Sequence, residues 1–404
     1  MRLALLAATT IFTTATAQAQ FELQDSHSTA SFRGIHSIGN GVAWASGTEG
    51  TVLHTTDDGK TWQRCATPPD AEKLDFRGIQ AFDQNTAIVM SSGKGDLSRL
   101  YKTTDGCKTW KLVFTNLEKD GFWDAIVTKQ YSKSEYLLGD PVNGVFQYLF
   151  PYEGDQGFRP YLSLIQPGGQ TGGVDKMPPA LLGESSFAAS NSSLIELPDS
   201  SGMAFATGGS IPKPRVISSI CYLLGHVDVC NNQASDVPMA SGPSAGIFSL
   251  AYRTMTEACP TQEEIEKFRT TNKNPFIYGP HCHKVLVLVA VGGDYMKSDS
   301  EAGTASFITI REKNYRDPQE WAVSQTPPHG YRSSVAYDTA TKTWITTGPN
   351  GTDISRNDGK NWSALKPSAQ DAPDADKNWN ALSLPFVVGP KGRIGKLRSD
   401  ALKR

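Results

Sequence analysis

The amino-acid sequence predicts an all-β fold, a seven-bladed β-propeller in which the N-terminal strand pairs with the last blade. Three observations predict it: a turn motif recurs along the chain, short strands begin repeatedly near an aromatic residue, and apolar residues alternate with period two rather than with a helical period. The chain has 404 residues, of which 38% are hydrophobic and 20% are charged, so it is long enough to bury a large core.

The turn motif is clearest at 55–62, which reads TTDDGKTW, and related runs are TTDGCKTW at 103–110 and SRNDGKNW at 355–362. An Asp or Asn at the third position accepts hydrogen bonds from turn amides, a Gly takes positive φ, and the Trp covers the apolar layer beneath. We therefore expect structural roles for the turn residues, which are Asp57, Gly59, Trp62, Asp105, Trp110, Asn357, Gly359 and Trp362.

Seven segments contain an aromatic residue near their start and continue as a short apolar strand. They are 32–35, 76–79, 122–125, 187–190, 246–249, 331–334 and 378–381. Equivalent positions in neighbouring repeats, where both are clear, lie about 40 to 50 residues apart. Four strands of about five residues with their turns need this length, which is that of a propeller blade.

The two ends of the chain are predicted to share one blade. The last repeat starts at Asn378, ends soon after 393–396 and lacks a fourth strand. Phe21–Gln24 resembles the outer strands that follow Trp110 and Trp321. We predict that Phe21–Gln24 supplies the missing strand, since closure removes the exposed edges of an open ring. A six-bladed ring with loose ends is the alternative.

Residues 1–19 have the pattern of a signal peptide, with Arg2 before an apolar run and an A-x-A cleavage pattern at 17–19. We expect an exported and soluble protein, periplasmic or secreted, with one propeller domain over 20–404; the alternative is an uncleaved N-terminal anchor. Two insertions into the repeat are expected at about 166–179 and 255–284, and a linker is expected at 366–377.

Six cysteines in an exported chain favour disulfides. Proximity suggests Cys221–Cys230 across a hairpin and Cys259–Cys282 around an insertion, which leaves Cys65 to pair with Cys107. The run His281-Cys282-His283 puts two histidines on one face of a strand, but a metal site needs a third ligand. We therefore predict no metal site.

The charge and the motifs exclude several function classes. A formal net charge of −2 gives no argument for binding to nucleic acid or to an anionic membrane. The sequence has no dinucleotide-binding glycine motif, no CxxC and no nucleophile elbow. We predict no cofactor.

The turn at 55–62 matches the Asp-box of the BNR repeat found in sialidases and other exported propellers. From Phe21 to about Arg398, the chain resembles the photosystem II assembly and stability factor family and its bacterial relatives. The resemblance rests on the FRGI strand starts, the Asp-boxes and the closing strand. It implies a seven-bladed ring and an assembly role. Cys107 and Asn357 depart from the Asp-box pattern.

Three arginines begin inner strands in equivalent positions, namely Arg33, Arg77 and Arg332. We predict that they line one end of the central channel, where guanidinium groups can bind a carboxylate or phosphate bidentately. The partner would then be a protein or another anionic ligand. The alternative is that each arginine pairs with local acids such as Asp75 and Asp124.

Asp140, Glu184 and Asp294 each follow a glycine near the end of an inner strand, and Asn191 is a further polar candidate at the channel. Paired carboxylates would permit glycoside hydrolysis, although acids at such positions more often hold turns or answer arginines. The arginine signature of sialidases is absent. We therefore predict a monomeric, non-catalytic binding or assembly scaffold. The alternatives are a divergent glycoside hydrolase that uses these acids, or an oxidoreductase with no visible redox site.

Overall fold

The computed structural model describes residues 20–129, 135–151, 158–160, 177–198, 202–224, 227–272, 282–311, 319–398 and 400–402. Within these ranges, side chains are described except at 150–151, 158–160, 220–224 and 227–231. The predicted signal peptide and most of the predicted 166–179 insertion lie outside the described residues.

The described strands form seven antiparallel sheets, arranged as the seven-bladed propeller that the sequence predicts. Blade 1 contains Phe32–Gly39, Val42–Gly47, Val52–Thr55 and Gln63–Arg64; blade 2 contains Phe76–Ala81, Ala87–Ser91, Arg99–Thr103 and Lys111–Thr115; blade 3 contains Trp123–Thr128, Glu135–Val142, Val145–Pro151 and Phe158–Pro160. In each of these three blades the strands follow one another in chain order across the sheet, from the inner strand outward.

The second half of the chain repeats this plan. Blade 4 contains Leu194–Glu196, Met203–Ala206, Arg215–Leu224 and Val227–Asp236; blade 5 contains Gly242–Glu257, His283–Asp294, Ala305–Arg311 and Ala322–Val323; blade 6 contains Ser334–Asp338, Thr343–Thr347, Thr352–Ser355 and Ser363–Ala364; blade 7 contains Ala381–Ser383, Phe386–Val388, Ile394–Leu397 and Phe21–Gln24. Two short strands, Glu184–Ser185 and Gly208–Gly209, extend the sheet of blade 5 on its inner side. The inner strand of blade 4 begins at Leu194, so the prediction that a strand starts at 187–190 is wrong.

The predicted closure of the ring is confirmed. Phe21–Gln24 pairs antiparallel with Ile394–Leu397, with Phe21 opposite Leu397 and Gln24 opposite Ile394. Asp371 binds the start of this strand, because its carboxylate accepts hydrogen bonds from the backbone N–H of Gln20 at 2.8 Å and of Phe21 at 3.0 Å. Blade 7 therefore has its fourth strand, and the two ends of the chain are held together.

The repeated turns share one hydrogen-bond pattern. In the first, Gly59 N–H donates to Thr55 Oγ1 at 3.0 Å, and Thr61 N–H donates to Asp57 Oδ1 at 3.0 Å. The same two bonds recur in the turns that contain Asp105 and Asn357. The pKa of Asp57 is lowered to about 2, first by the backbone N–H of Thr61. The Trp of each turn is buried at the junction with a neighbouring blade.

The fifth residue of each repeated turn contacts the preceding blade. Gly59 lies against Gln24 and Phe386 of blade 7, and Gly359 lies against Val289 of blade 5. In blade 2 the equivalent residue is Cys107, which forms a disulfide with Cys65 of blade 1. The departure of Cys107 from the Asp-box pattern thus replaces a packing contact between blades by a covalent one.

The insertion at 255–284 lengthens the hairpin of blade 5. Its helix, Gln262–Thr271, begins at the N-cap Thr261, which forms a reciprocal capping box with Glu264. A disulfide between Cys259 and Cys282 closes the insertion. The predicted pair Cys221–Cys230 and His281 of the metal motif lie outside the described side chains. Two short 3-10 helices, Gly95–Leu97 and Tyr295–Lys297, complete the described elements.

Candidate functional site

A cavity of about 420 Å³ lies at the centre of the ring. Most of its lining residues lie at the starts of inner strands or in the segments that lead into them, whereas Tyr295 and Pro349 follow second strands; six of the seven blades contribute. The chemistry of the cavity is set by two arginines, Arg33 and Arg77, and by an aromatic wall of Phe187, Phe248, Tyr295 and Tyr331. The arginines were predicted from the sequence as site residues, whereas Phe187, Phe248 and Tyr331 were assigned to strand starts and Tyr295 to no role.

Arg33 is a cation without a partner among the described residues. Its Nε is buried with no hydrogen-bond acceptor, and the side chain forms no ion pair there. Burial lowers the pKa of Arg33 and the positive charge of Arg77 lowers it further, whereas Asp75 and Tyr331 raise it in part. A desolvated guanidinium that is not hydrogen-bonded to a carboxylate is unfavourable, so an anion in the cavity would be stabilised by binding to Arg33.

The guanidinium of Arg77 has hydrogen-bond acceptors for only some of its donors. Its Nε donates to Asp75 Oδ2 at 2.7 Å, and its Nη1 lies 3.4 Å from the carbonyl oxygen of Ala188. The guanidinium also lies 5.8 Å from the ring centroid of Phe122. Arg33 and Arg77 thus have one hydrogen-bonded carboxylate, Asp75, between them. Two positive charges against one negative charge leave an excess positive charge at the cavity.

Arg332 does not belong to this cluster, and the prediction that it faces the channel is wrong. Its side chain is 1% exposed, and its Nε donates to Asp353 Oδ2 at 2.8 Å. His329 Nδ1 lies 2.5 Å from the other oxygen of the same carboxylate, and Arg332 Nη1 also bonds to Asn350. Arg332 is thus the centre of a buried polar network within blade 6.

The third strand of blade 6 explains this difference. Asp353 is the equivalent of Leu53 in blade 1 and of Tyr101 in blade 2, and all three are fully buried. A buried carboxylate needs a cation, and the arginine of the same blade supplies it. The pattern TDIS at 352–355, compared with VLHT at 52–55, contains the signal that sequence analysis missed.

The segment 187–193 lies across the ring centre instead of forming an inner strand, and its first three residues line the cavity. It bonds to four other blades. Ala188 O accepts from Arg77 of blade 2, Ser190 Oγ donates to Ser333 O at 2.6 Å, and Ser192 Oγ lies 2.7 Å from Ser249 Oγ.

The contact to the fourth blade is made by Asn191, which has φ of 64°. Its Oδ1 accepts from Ile126 N–H at 2.8 Å, and its Nδ2 donates to Ile126 O at 2.9 Å. The Asn191 side chain therefore satisfies both backbone polar groups of Ile126 in the inner strand of blade 3, as a neighbouring strand would. It was predicted as a ligand contact, but both its polar atoms are occupied inside the protein.

The aromatic wall of the cavity comes from blades 4, 5 and 6. The rings of Phe187 and Phe248 stack with centroids 4.1 Å apart, and Tyr331 meets Phe248 edge to face at 4.8 Å. Burial raises the pKa of Tyr331, so its phenol is neutral. Phe187 fits because Gly208 and Gly246 lie under its ring, where an added Cβ would approach to 2.5 Å and 2.8 Å.

Glu184 is a structural acid. It is buried, and its Oε1 accepts from Arg215 Nε at 2.8 Å and from Thr207 Oγ1 at 2.6 Å. Its Oε2 accepts from Leu181 N–H at 2.8 Å and from Arg215 Nη2. All the oxygen lone pairs that a reaction would need are engaged within blades 4 and 5.

Asp294 caps the short helix at 295–297, where its Oδ1 accepts from Met296 N–H at 3.0 Å and from Ser244 Oγ at 2.6 Å. These hydrogen bonds, the one from Ser244 first, lower its pKa. Asp140 is largely buried and accepts from Ser186 N–H at 3.0 Å; burial raises its pKa to about 6. Neither carboxyl group is among the residues that line the cavity.

Asp124 lies close to Asp140 and is also not part of the cavity wall. It is fully buried, and burial together with the charge of Asp140 raises its pKa well above the usual range. The positive charge of Arg77 acts in the opposite direction and lowers the pKa of Asp124. Within the described residues, no group of three or more His, Cys, Asp and Glu side chains could hold a metal ion.

No protein-family model and no curated protein sequence matches this chain. Solved structures do share its fold. YCF48, a photosystem II assembly factor, in a structure titled as bound to D1 peptide, is 14% identical over 96% of this chain and 99% of that chain, with a TM-score of 0.55. The extracellular domain of the putative hybrid two-component system BT4673 from B. thetaiotaomicron is 10% identical over 94% of this chain and 40% of that chain, with a TM-score of 0.51.

The predicted resemblance in fold to the photosystem II assembly factor is thereby confirmed, while identities this low show the fold alone. Assignment of the turns to the BNR repeat stays a prediction. Among the described helices, none has the length and apolar character needed to cross a membrane.

Proposed function

We propose that this chain is an exported, periplasmic or secreted, non-catalytic scaffold that docks a partner protein by binding its carboxylate against Arg33 and Arg77. The observation that carries the proposal is the guanidinium of Arg33, which is desolvated in the central cavity without an acceptor for its Nε. A carboxylate can accept bidentately from one guanidinium and relieve the repulsion between both arginines.

The shape of the cavity supports a ligand that enters from one side. The segment 187–193 is hydrogen-bonded to blades 3, 5 and 6, which favours entry of the ligand from the side away from this segment. The wall beside the arginines is aromatic, which suits the apolar part of a peptide side chain. The structure of YCF48 with D1 peptide gives a precedent for peptide binding by this fold.

The glycoside hydrolase alternative receives no support from the acids. Two carboxyl groups would have to face an open pocket at a separation of about 5 to 10 Å. Glu184 is bound to Arg215, Asp294 holds a turn, and Asp140 accepts from a backbone N–H. The disulfides at Cys65–Cys107 and Cys259–Cys282 support export to an oxidising compartment.

The experiment compares two fluorescent peptide pools, one with Glu at a fixed central position among random residues and one with Gln there. We expect the purified protein to bind the Glu pool more tightly in fluorescence anisotropy, and added salt to weaken that binding. Arg33→Gln and Arg77→Gln should each weaken it by about tenfold to a hundredfold, the cost of losing a charge-assisted hydrogen bond.

Arg64→Gln is the matched control, because Arg64 lies exposed on the outer strand of blade 1 and its loss changes the net charge equally. It should leave peptide binding unchanged. Equal binding of the Glu and Gln pools, or equal loss in all three variants, would contradict the proposal.

A further inference from the structure

Two turns at the sheet of blade 5 present apolar side chains to solvent in a fixed position, and the second of them contributes Tyr295 to the cavity wall. The first is 181–184, where Glu184 N–H donates to Leu181 O at 3.0 Å and Gly183 has φ of 83°. Leu182, within this turn, is 100% exposed. A single exposed leucine is unremarkable by itself, so what matters is how this one is held.

The turn at 181–184 is anchored by a buried ion pair. Glu184 accepts from Leu181 N–H while both its oxygens also bind Arg215. Ala180 N–H donates in addition to Gly144 O of blade 3 at 2.9 Å. The backbone on both sides of Leu182 is therefore fixed, so little conformational entropy is lost when a partner covers that side chain.

The second turn is the short helix at 295–297, which Asp294 caps. Met296 is 73% exposed and Tyr295 is 47% exposed. The ring of Tyr295 meets Phe248 at 6.0 Å and Tyr331 at 6.4 Å, so the aromatic wall of the cavity continues outward through Tyr295 to Met296. Glu184 and Asp294, two of the three acids considered for the glycoside hydrolase alternative, thus share a structural role: each holds a turn that presents an apolar side chain.

The register of blade 5 relates the two turns. Ser185 lies opposite Gly208, Gly208 opposite Gly246, and Gly246 opposite Gly293, on four neighbouring strands. Glu184 and Asp294 are the next residues at the two ends of this row. Three strand spacings amount to about 14 Å. An extended peptide covers this distance in about four residues.

We propose that Leu182, Tyr295 and Met296 form, with Arg33 and Arg77, a docking surface for an extended acidic segment of a partner protein that carries apolar side chains on both sides of the carboxylate. The inference rests on the proposed function, because the carboxylate must bind the arginines. Charge favours an acidic segment over a second copy of an apolar face, because Tyr295 lines the same cavity as Arg33 and Arg77, where Arg33 Nε has no acceptor.

The test uses three labelled twelve-residue peptides that differ at three positions. The first has Leu, Glu and Leu at every second position in its centre, the second replaces both Leu by Ser, and the third replaces Glu by Gln. We expect the first to bind most tightly. Leu182→Ser and Met296→Ser should each weaken its binding by about tenfold, the effect of exposing a buried apolar side chain, and should leave binding of the Ser peptide unchanged.

Leu112→Ser is the control, since Leu112 is exposed on the outer strand of blade 2 and should not affect binding. If Arg33→Gln weakens binding of the first two peptides but Leu182→Ser and Met296→Ser do not, the docking surface is refuted and the proposed function stands. If none of the three peptides binds more tightly to the wild-type protein than to Arg33→Gln, both are refuted.

Discussion

Replacement of His36 by Asn should remove a pH dependence of stability that the fold itself creates. His36 lies on the inner strand of blade 1, and its Nδ1 accepts a hydrogen bond from Ala81 N–H of blade 2 at 2.7 Å. Protonation would place a second donor at Nδ1, facing the N–H of Ala81. Burial lowers the pKa of His36 to about 4.

The sign and size follow from linkage. The unfolded chain takes up the His36 proton near pH 6.5, whereas the folded protein takes it up only near pH 4. Between these values the unfolded state binds more protons, so the contribution of neutral His36 is complete above about pH 6.5 and is lost as the pH falls. A pKa difference of about 2.5 corresponds to about 3 kcal/mol at pH 4 relative to neutral pH.

Asp140 opposes this trend in the wild-type protein. Its folded pKa of about 6 lies above the unfolded value of 3.8, so the folded state binds more protons between these values and Asp140 makes stability fall as the pH rises. The sum of these two contributions therefore depends less on pH than either contribution alone. The difference between wild type and His36→Asn isolates His36, because the other groups are common to both proteins.

The assay is urea unfolding followed by tryptophan fluorescence at pH 7.5, 6, 5 and 4. Asn Oδ1 can accept from Ala81 N–H without titrating, so the variant should gain about 3 kcal/mol relative to wild type between pH 7.5 and pH 4. His27→Asn, at a position whose side chain is 77% exposed, is the matched control. An equal stability difference at pH 7.5 and pH 4 would refute the reasoning.

Two further predictions concern stability. Replacing Cys65 and Cys107 together by Ser should lower the free energy of unfolding by about 4 kcal/mol, since the disulfide spans 42 residues; a loss below about 1 kcal/mol in denaturant unfolding would contradict this. Arg33→Leu should raise the stability by about 1 to 2 kcal/mol in the same assay, because it removes a desolvated cation beside Arg77; a decrease of that size would show that Arg33 is answered inside the protein.

Much of the fold follows from the sequence because its signals are local and repeated. The turn at 55–62 makes its bonds between residues four positions apart, so its geometry can be inferred from the motif alone. Closure by Phe21–Gln24 was predictable because the last repeat lacked its fourth strand, while Phe21–Gln24 was an outer strand that belonged to no repeat of its own. The blade count follows from repeat spacing.

The candidate site is different, because equivalent residues have different neighbours in different blades. Arg33, Arg77 and Arg332 occupy the same position in their repeats. Arg332 donates to the buried carboxylate of Asp353, and Arg77 donates to Asp75. The Nε of Arg33 has no hydrogen-bond acceptor among the described residues. These outcomes depend on the side chains that each arginine meets within and across blades.

The sequence by itself thus determined the architecture of this protein: seven blades, the closing strand and the turn bonds, all of which depend on neighbours in the chain or on periodic repetition. Only the tertiary structure decided which arginine lacks a hydrogen-bond acceptor and which segment crosses the ring centre. The segment 187–193 bonds to blades that are far away in sequence, and its polar residues find their partners only when the ring closes. The chemistry of the ring centre is therefore set by contacts across the ring, which a repeat pattern does not encode.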